Sequence, residues 1–198
     1  PKIETIIPKL NSEVTKEEVI DISNDYRFEM KNYDFTAAGS DLVFEDYKID
    51  EKINHIDGVT VEEAEHMMAT KLYQNNAKVH FNHFVEKSGR FGKRIVYGGH
   101  VISLTRSISF NGLSNAFKII AINGGTHASP CFAGKTVFAW SKIIEKVDVS
   151  DTLGALRIRT NGLGDAQPYQ FQHQDQNGKF NSDVLLSLDY WALVPKKI

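Results

Sequence analysis

Residues 74–84 (QNNAKVHFNHF) place three side-chain amides ahead of two histidines, His80 and His83. An imidazole exchanges protons near neutral pH, whereas an amide orients a water molecule without taking its proton. The segment could therefore handle water, although an Asn-rich loop that ends in His is also typical of a helix C-terminus. His80 and His83 lack a third ligand in a recognisable pattern, so no metal site is predicted.

A glycine pair, Gly98 and Gly99, opens an apolar segment at residues 99–113 whose single formal charge is Arg106. Such a segment predicts a helix, over about residues 99–110, that is buried on most sides. The backbone N–H groups at a helix N-terminus stabilise developing negative charge, and glycine lets a ligand approach the backbone closely. A glycine pair by itself most often only permits a tight turn.

Other segments predict the surrounding elements. Thr60 and Glu63 have the spacing of a capping box, and Val61, Ala64, Met68 and Leu72 then predict the apolar stripe of an amphipathic helix. Residues 12–21 are a short helix candidate, and residues 42–53 fit an edge strand or an entry loop.

The C-terminal half is rich in strand-like runs separated by turn residues. These runs cover residues 116–123, 135–147, 154–162, 169–174 and 183–194. Residues 176–179 (QNGK) are a strong hairpin signal. One buried helix followed by about four or five antiparallel strands predicts an α+β fold in which a sheet wraps around a helix.

The composition narrows the class of protein. With 198 residues, 41% of them hydrophobic, the chain suits one domain at 43–198 and an N-terminal arm or linker at 1–42. The near balance of 23 Lys and Arg against 25 Asp and Glu argues against nucleic-acid binding. No apolar run approaches the roughly 20 residues of a membrane span, and no signal-peptide pattern is present. Because Cys131 is the single cysteine, no internal disulfide is possible, which favours a cytoplasmic location.

Three long runs carry a resemblance to a known family. VTVEEAEHMMATKLYQNNAKVHFN, GRFGKRIVYGGHVISLTRSISFNGL and INGGTHASPCFAGKTVFAW resemble the MaoC-like hot-dog hydratases. More narrowly, the chain is similar to the C-terminal half of the mesaconyl-CoA (2-methylfumaryl-CoA) hydratases, also called β-methylmalyl-CoA dehydratases. The resemblance covers about residues 43–193 and is densest over 55–140.

The resemblance implies a hot-dog fold and reversible hydration of a conjugated acyl-CoA, a lyase reaction that needs no cofactor beyond its coenzyme A thioester substrate. It also implies a second hot-dog domain as partner, either in a homodimer or as an N-terminal half. Residues 1–42 would then correspond to the linker between two halves.

The resemblance also implies roles for individual residues. His80 matches the family's catalytic His, and Asn75 stands where the family has its Asp. Tyr97 and Gly98 take the place of a His-Gly pair, which makes the backbone of Gly98 and Gly99 the expected oxyanion site. Ser103 matches a serine near the reacting centre, so Tyr97 and Ser103 are expected to contact substrate.

The basic loop at residues 87–94 contains Arg90, Lys93 and Arg94, which could meet the phosphates of coenzyme A or remain a solvated surface. His66, His83 and His100 are expected to be structural or solvated, and Cys131 to lie in the core.

Because Asn75 cannot accept a proton, either His80 performs both proton transfers or a carboxylate from a second hot-dog domain completes the site. The alternative function is a non-catalytic acyl-CoA-binding half that needs a partner domain for the acid. A thioesterase or an acyl-carrier dehydratase would share the fold.

Overall fold

A computed structural model describes residues 13–24, 30–170 and 174–197. The helices are α1 (Lys16–Asn24), α2 (Phe35–Ala38), α3 (Glu63–Leu72), α4 (Lys78–Phe81), α5 (His83–Glu86), α6 (Gly98–Ile108) and α7 (Phe110–Leu113). The strands are β1 (Lys52–Thr60), β2 (Lys118–Thr126), β3 (Thr136–Asp148), β4 (Leu153–Gly164) and β5 (Val184–Pro195). Short 3-10 turns lie at Met30–Asn32, Phe44–Asp46 and Pro168–Gln170.

The five strands form one antiparallel sheet in the order β1-β3-β4-β5-β2. The edges are therefore β1 and β2, while the apolar β4 and β5 lie at the centre of the sheet and are buried over most of their length. This arrangement confirms the predicted α+β class and the antiparallel strands.

Helix α6 packs against the sheet through Val101, Thr105 and Ile108, which are buried. The predicted helix is thus confirmed, but it begins at Gly98 and ends at Ile108. The backbone is kinked within α7 at Asn111 and Gly112, where Gly112 has a φ of 103°. Glycine suits this position because other residues rarely adopt a positive φ.

The prediction for the start of α3 was wrong in two respects. Thr60 is the last residue of β1, where its hydroxyl lies 2.9 Å from that of Thr136, so strand pairing takes it out of a capping role. The N-cap residue is Glu62 instead, and its side chain makes no capping hydrogen bond. Of the predicted apolar stripe, Val61 is fully buried ahead of the helix, whereas Met68 and Leu72 face outwards and are 68% and 71% exposed.

The strand predictions hold except at residues 169–174. Tyr169 lies in the 3-10 turn that Pro168 begins, because proline fixes φ and lacks the N–H that a strand ladder needs. Residues 171–173 lie outside the described residues, and Gln174 forms a single bridge to Phe180. The QNGK segment makes the predicted turn within this bridge. Residues 42–53 form an entry loop that leads into the edge strand β1.

Within the N-terminal arm, helix α1 packs on the face of the sheet opposite α6. Helix α1 begins with a capping box between Thr15 and Glu18. Val19 is fully buried against Trp191, whose Nε1–H donates to the carbonyl oxygen of Val14 at 3.2 Å. The boundary between an arm and a hot-dog domain at residue 43 remains a prediction.

A buried polar chain joins β1 to the kink after α6. His55, 1% exposed, donates from Nδ1 to the carbonyl oxygen of Asn111 at 2.6 Å. Its Nε2 accepts from the Ser141 hydroxyl at 2.8 Å, and Ser141 contacts Thr160. Burial lowers the pKa of His55 to about 4. The imidazole is therefore neutral in the folded protein at neutral pH.

The burial of His55 is expected to make the stability of the folded protein sensitive to acid. Between pH 6.5 and about 4 the unfolded chain binds a proton at His55 that the folded chain does not. The stability from keeping His55 neutral is complete above pH 6.5 and is lost as pH falls, by up to roughly 3 kcal/mol. Urea unfolding across this range should show a shallower pH dependence for His55→Gln than for wild type, while exposed His83→Gln keeps the wild-type slope. Equal slopes for all three proteins would contradict the assignment.

Candidate active site

Asn75 shapes the turn between α3 and α4. Its backbone N–H donates to the carbonyl oxygen of Thr70 at 3.0 Å. Its Oδ1 accepts from the N–H of Ala77, the residue that caps α4, at 2.9 Å. The preceding residue, Gln74, has a φ of 52°. The Asn75 side chain therefore stabilises the loop that positions His80.

His80 lies in α4 with one ring nitrogen committed. Its Nδ1 is 2.9 Å from the carbonyl oxygen of Ile95, to which only a protonated nitrogen can donate. The neutral imidazole consequently carries its proton on Nδ1 and leaves the Nε2 lone pair available. A backbone hydrogen bond of 3.1 Å from Ile95 N–H to Val79 holds the same two segments together.

Aromatic and imidazole rings crowd the start of α6. The Tyr97 ring meets His80 edge-on, with the ring centroids 5.9 Å apart. A Cβ atom on Gly98 would lie 2.7 Å from Nε2 of His127, and one on Gly99 would lie 2.6 Å from the Tyr97 ring. Both glycines are thus required by the close packing of these rings against the helix backbone.

His80 and Gly98 line one cavity of about 340 Å³. Its wall is mostly apolar and contains two imidazoles; the lining residues are His80, Ile95, Val96, Gly98, Val101, His127, Ala128, Ser129, Pro130 and Cys131. Burial raises the pKa of the Cys131 thiol to about 11, so this side chain stays protonated at neutral pH. The prediction that Cys131 belongs to the core is confirmed.

A polar cluster joins α3 to the segment before α6. His66, fully buried, donates from Nε2 to the Glu63 carboxylate at 3.1 Å, and burial lowers the pKa of this imidazole. The Arg94 guanidinium binds the same carboxylate. Nε2 of His100, in the first turn of α6, lies 2.8 Å from Oε1 of Glu65. Arg94 thus joins α3 to the segment before α6. His66 and His100 have structural roles, as predicted.

The remaining cations of the basic loop lie over aromatic rings. Arg90 stacks on Phe91 at 5.0 Å, and Nζ of Lys93 lies 4.4 Å from the centre of the Phe132 ring. Phe91 and Phe132 also meet edge-on at 5.4 Å. Phe132 directly follows Cys131, which lines the cavity that contains His80, but neither Arg90 nor Lys93 lines that cavity.

Ser103 lies apart from His80. Its hydroxyl donates to the carbonyl oxygen of Gly99 at 2.9 Å, on the exposed side of α6. It lines a second, open cavity of about 970 Å³, together with Asp57 and Arg106. The structure brings His80, Tyr97 and Gly98 together, whereas Ser103 contacts Gly99 and lines the other cavity.

His127 is the site residue that the sequence reasoning missed. It follows the glycine-containing end of β2 in the segment GGTHASP, which reads as a turn. No sequence periodicity indicates a role for His127, because its contact with Gly98 depends on how β2 and α6 pack in the fold. A polar residue directly after a strand end, beside two glycines, is the one local signal available.

The architecture defines the class of protein as a hot-dog fold, an antiparallel sheet packed on one helix, here with a mostly apolar cavity that contains two imidazoles at the start of that helix. A Mycobacterium tuberculosis structure described as a double hot-dog fold matches 84% of this chain and 46% of its own length, with a TM-score of 0.58 and 18% identity. No family model matches the chain.

More particularly, the chain is similar to two curated proteins, one named as a dehydratase and one as a hydratase of a coenzyme A thioester. It is 49% identical over 199 residues to β-methylmalyl-CoA dehydratase of Chloroflexus aurantiacus, covering 100% of this chain and 56% of the relative. It is 53% identical over 167 residues to mesaconyl-CoA hydratase of Cereibacter sphaeroides, covering 83% and 47%. These matches confirm the resemblance seen in the sequence.

A solved structure described as a MaoC-domain dehydratase from Chloroflexus aurantiacus superposes on the whole chain with a TM-score of 0.90 at 48% identity, and the chain covers 56% of it. The chain thus spans about half the length of the curated relatives it matches. Among the described residues, every helix is too short or too polar to cross a membrane.

Proposed function

We propose that this chain carries the water-handling part of an acyl-CoA hydratase, which adds water reversibly to mesaconyl-CoA. The observation that carries the proposal is the free Nε2 of His80, held in a cavity that also contains the start of α6. A base and an anion-stabilising helix terminus in one cavity match the two charges that hydration of a conjugated thioester creates.

His80 and the N–H groups that begin α6 suffice to move each proton and to stabilise the charge in the proposed reaction. A water molecule gives one proton to Nε2 of His80 as its oxygen bonds to the β carbon. The electrons of the double bond move towards the thioester oxygen, which becomes an enolate near the N–H groups that begin α6. The proton held by His80 then reaches the α carbon and the thioester re-forms. Dehydration runs through the same steps in reverse.

The substrate assignment comes from the relatives, whose printed names are mesaconyl-CoA hydratase and β-methylmalyl-CoA dehydratase. We propose that Arg90 and Lys93 contact the phosphates of coenzyme A, because guanidinium and ammonium groups bind phosphates. Lys93 lies over Phe132, the residue that directly follows Cys131 of the cavity wall. Arg94 contributes by fixing the loop through its bond to Glu63.

A second hot-dog domain is the proposed partner. The edge strand β2 exposes Ile122, and α3 exposes Met68 and Leu72 beside the loop that carries His80. Exposed apolar side chains and the edge strand of a sheet are each common features of protein interfaces. A carboxylate from this partner could supply the acid that Asn75 does not.

The proposal predicts selective binding of thioesters. Calorimetry with the protein expressed from its complete reading frame should show binding of mesaconyl-CoA and little or no binding of free mesaconate. The double variant Arg90→Gln/Lys93→Gln should weaken mesaconyl-CoA binding about tenfold or more, since two cations no longer meet phosphates. Lys71→Gln, a charge change of the same sign on α3, is the control.

Equal affinity for the thioester and the free acid would refute acyl-CoA recognition. The second candidate function, a non-catalytic acyl-CoA-binding half, is favoured by the absence of a carboxylate at position 75. It predicts the same binding results but no loss of turnover when His80 is replaced.

A further inference from the structure

We infer that His127 is a second catalytic residue of this site, and that its imidazole N–H donates to the substrate's thioester oxygen beside the first backbone N–H groups of α6. This inference rests on the proposed hydration reaction. It assigns to this chain a side-chain donor that would act together with the helix terminus.

The placement of His127 is the first support. Of its ring atoms, Nε2 comes nearest to the position where a Cβ on Gly98 would lie, at 2.7 Å. Gly98 is the first residue of α6, so this nitrogen lies beside the helix N-terminus, whose first N–H groups have no partner within the helix. No hydrogen bond within the described ranges occupies the His127 imidazole, which leaves its N–H available to a ligand.

The division of roles with His80 is the second support. Both imidazoles line the same cavity, whose other lining side chains are largely apolar. His80 has its Nδ1–H committed to Ile95 and can only accept at Nε2, which suits a base. The uncommitted ring of His127 can donate. Hydration needs both a proton acceptor and a donor to the developing enolate.

The charge state of His127 suits a group that donates a hydrogen bond and keeps its proton. His127 is exposed at the surface of this chain, and the desolvation of its buried part still lowers its pKa, so the ring is neutral at neutral pH. A neutral imidazole at a helix N-terminus can polarise a carbonyl without forming an imidazolium next to the positive end of the helix. In an apolar cavity such a hydrogen bond strengthens as charge develops on the oxygen.

The test compares two replacements of similar size in the protein expressed from its complete reading frame. His127→Leu removes the donor, whereas His127→Gln keeps an amide N–H. With mesaconyl-CoA as substrate, His127→Leu should lower kcat about 10²–10³-fold with little change in KM, because the bond is strongest in the transition state. His127→Gln should retain clearly more activity than His127→Leu.

A spectroscopic readout separates donation from packing. Infrared spectra of bound methylsuccinyl-CoA, which lacks the double bond and cannot be hydrated, should show a lower carbonyl stretching frequency in wild type and His127→Gln than in His127→Leu. A wild-type frequency in His127→Leu, or equal losses of kcat in both variants, would overturn the inference.

Failure of the proposed function gives a different pattern. If wild type does not hydrate mesaconyl-CoA, the proposed reaction is wrong, and the carbonyl frequencies of the bound saturated thioester still decide whether His127 donates to it. If wild type turns over and His127→Leu matches it in kcat, the inference about His127 alone is wrong.

Discussion

Replacement of His80 by alanine is expected to lower kcat for mesaconyl-CoA hydration by about 10²–10⁴-fold, the usual contribution of a positioned proton-transfer group. His80 is the residue of the cavity whose ring has one nitrogen fixed to a carbonyl oxygen and the other free to accept. Without it, no base remains in place to take the proton of the attacking water.

The matched control is His80→Asn. The amide nitrogen of asparagine can replace Nδ1 as donor to Ile95, so this variant keeps the anchor between α4 and the segment before α6 but has no titratable base. Steady-state kinetics should show comparable losses of kcat for His80→Asn and His80→Ala, and no loss for the exposed neighbour variant His83→Ala.

Two outcomes would speak against this role. If His80→Asn keeps wild-type turnover while His80→Ala loses it, then His80 acts only as an anchor. If both variants keep wild-type turnover, the chain is better described as the acyl-CoA-binding half. Thermal melting should show that the variants remain folded, because the backbone bond between Ile95 and Val79 persists.

The second large effect is expected at Gly98. A methyl group at this position would lie 2.7 Å from Nε2 of His127 and would push that ring away from the start of α6. Gly98→Ala should therefore lower kcat by about 10²-fold, comparable to the removal of one oxyanion donor. Helix stability should not fall, since alanine has a higher helix propensity than glycine.

Gly124→Ala is the matched control for this change. Gly124 has no heavy atom within 4 Å of the added methyl group and lies in β2, outside the cavity. Steady-state kinetics and thermal melting of both variants separate a local effect from a general cost of losing a glycine. Full activity in Gly98→Ala would show that the space beside His127 is not used in the reaction.

The sequence predicted the elements whose patterns are local. The apolar run with a single charge indicated α6, and alternating residues rich in β-branched and aromatic side chains indicated four of the five strands. The long matching runs then indicated the fold and the position of His80. These signals work because burial of apolar side chains determines both the periodicity of a segment and its place in the core.

The errors arose where tertiary contacts overrode local patterns. The stripe on α3 predicted an inward apolar face, but the structure buries His66 and Thr70 and exposes Met68 and Leu72. His66 tolerates burial because the Glu63 carboxylate accepts its N–H. A second domain that covers this apolar stripe would explain its exposure. The sequence of this chain alone does not reveal such a partner.

The composition of the cavity was also only partly predictable. Asn75 was expected to orient water, and the structure shows its Oδ1 bonded to the N–H of Ala77. The family resemblance implied that Ser103 lies near the reacting centre, but its hydroxyl donates to the carbonyl oxygen of Gly99 on an exposed face of the helix. His127 joins the site from a strand end 29 residues beyond Gly98, which no spacing rule connects.

The central claim is that the cavity beside His80 adds water to the double bond of an acyl-CoA rather than cleaving its thioester. The most direct measurement is incubation of mesaconyl-CoA with the protein in H₂¹⁸O, followed by mass spectrometry of the products. We predict one ¹⁸O atom in a hydroxyl group at the β carbon, with the thioester to coenzyme A intact. Release of free coenzyme A with ¹⁸O in the carboxylate would identify a thioesterase and contradict the hydratase assignment.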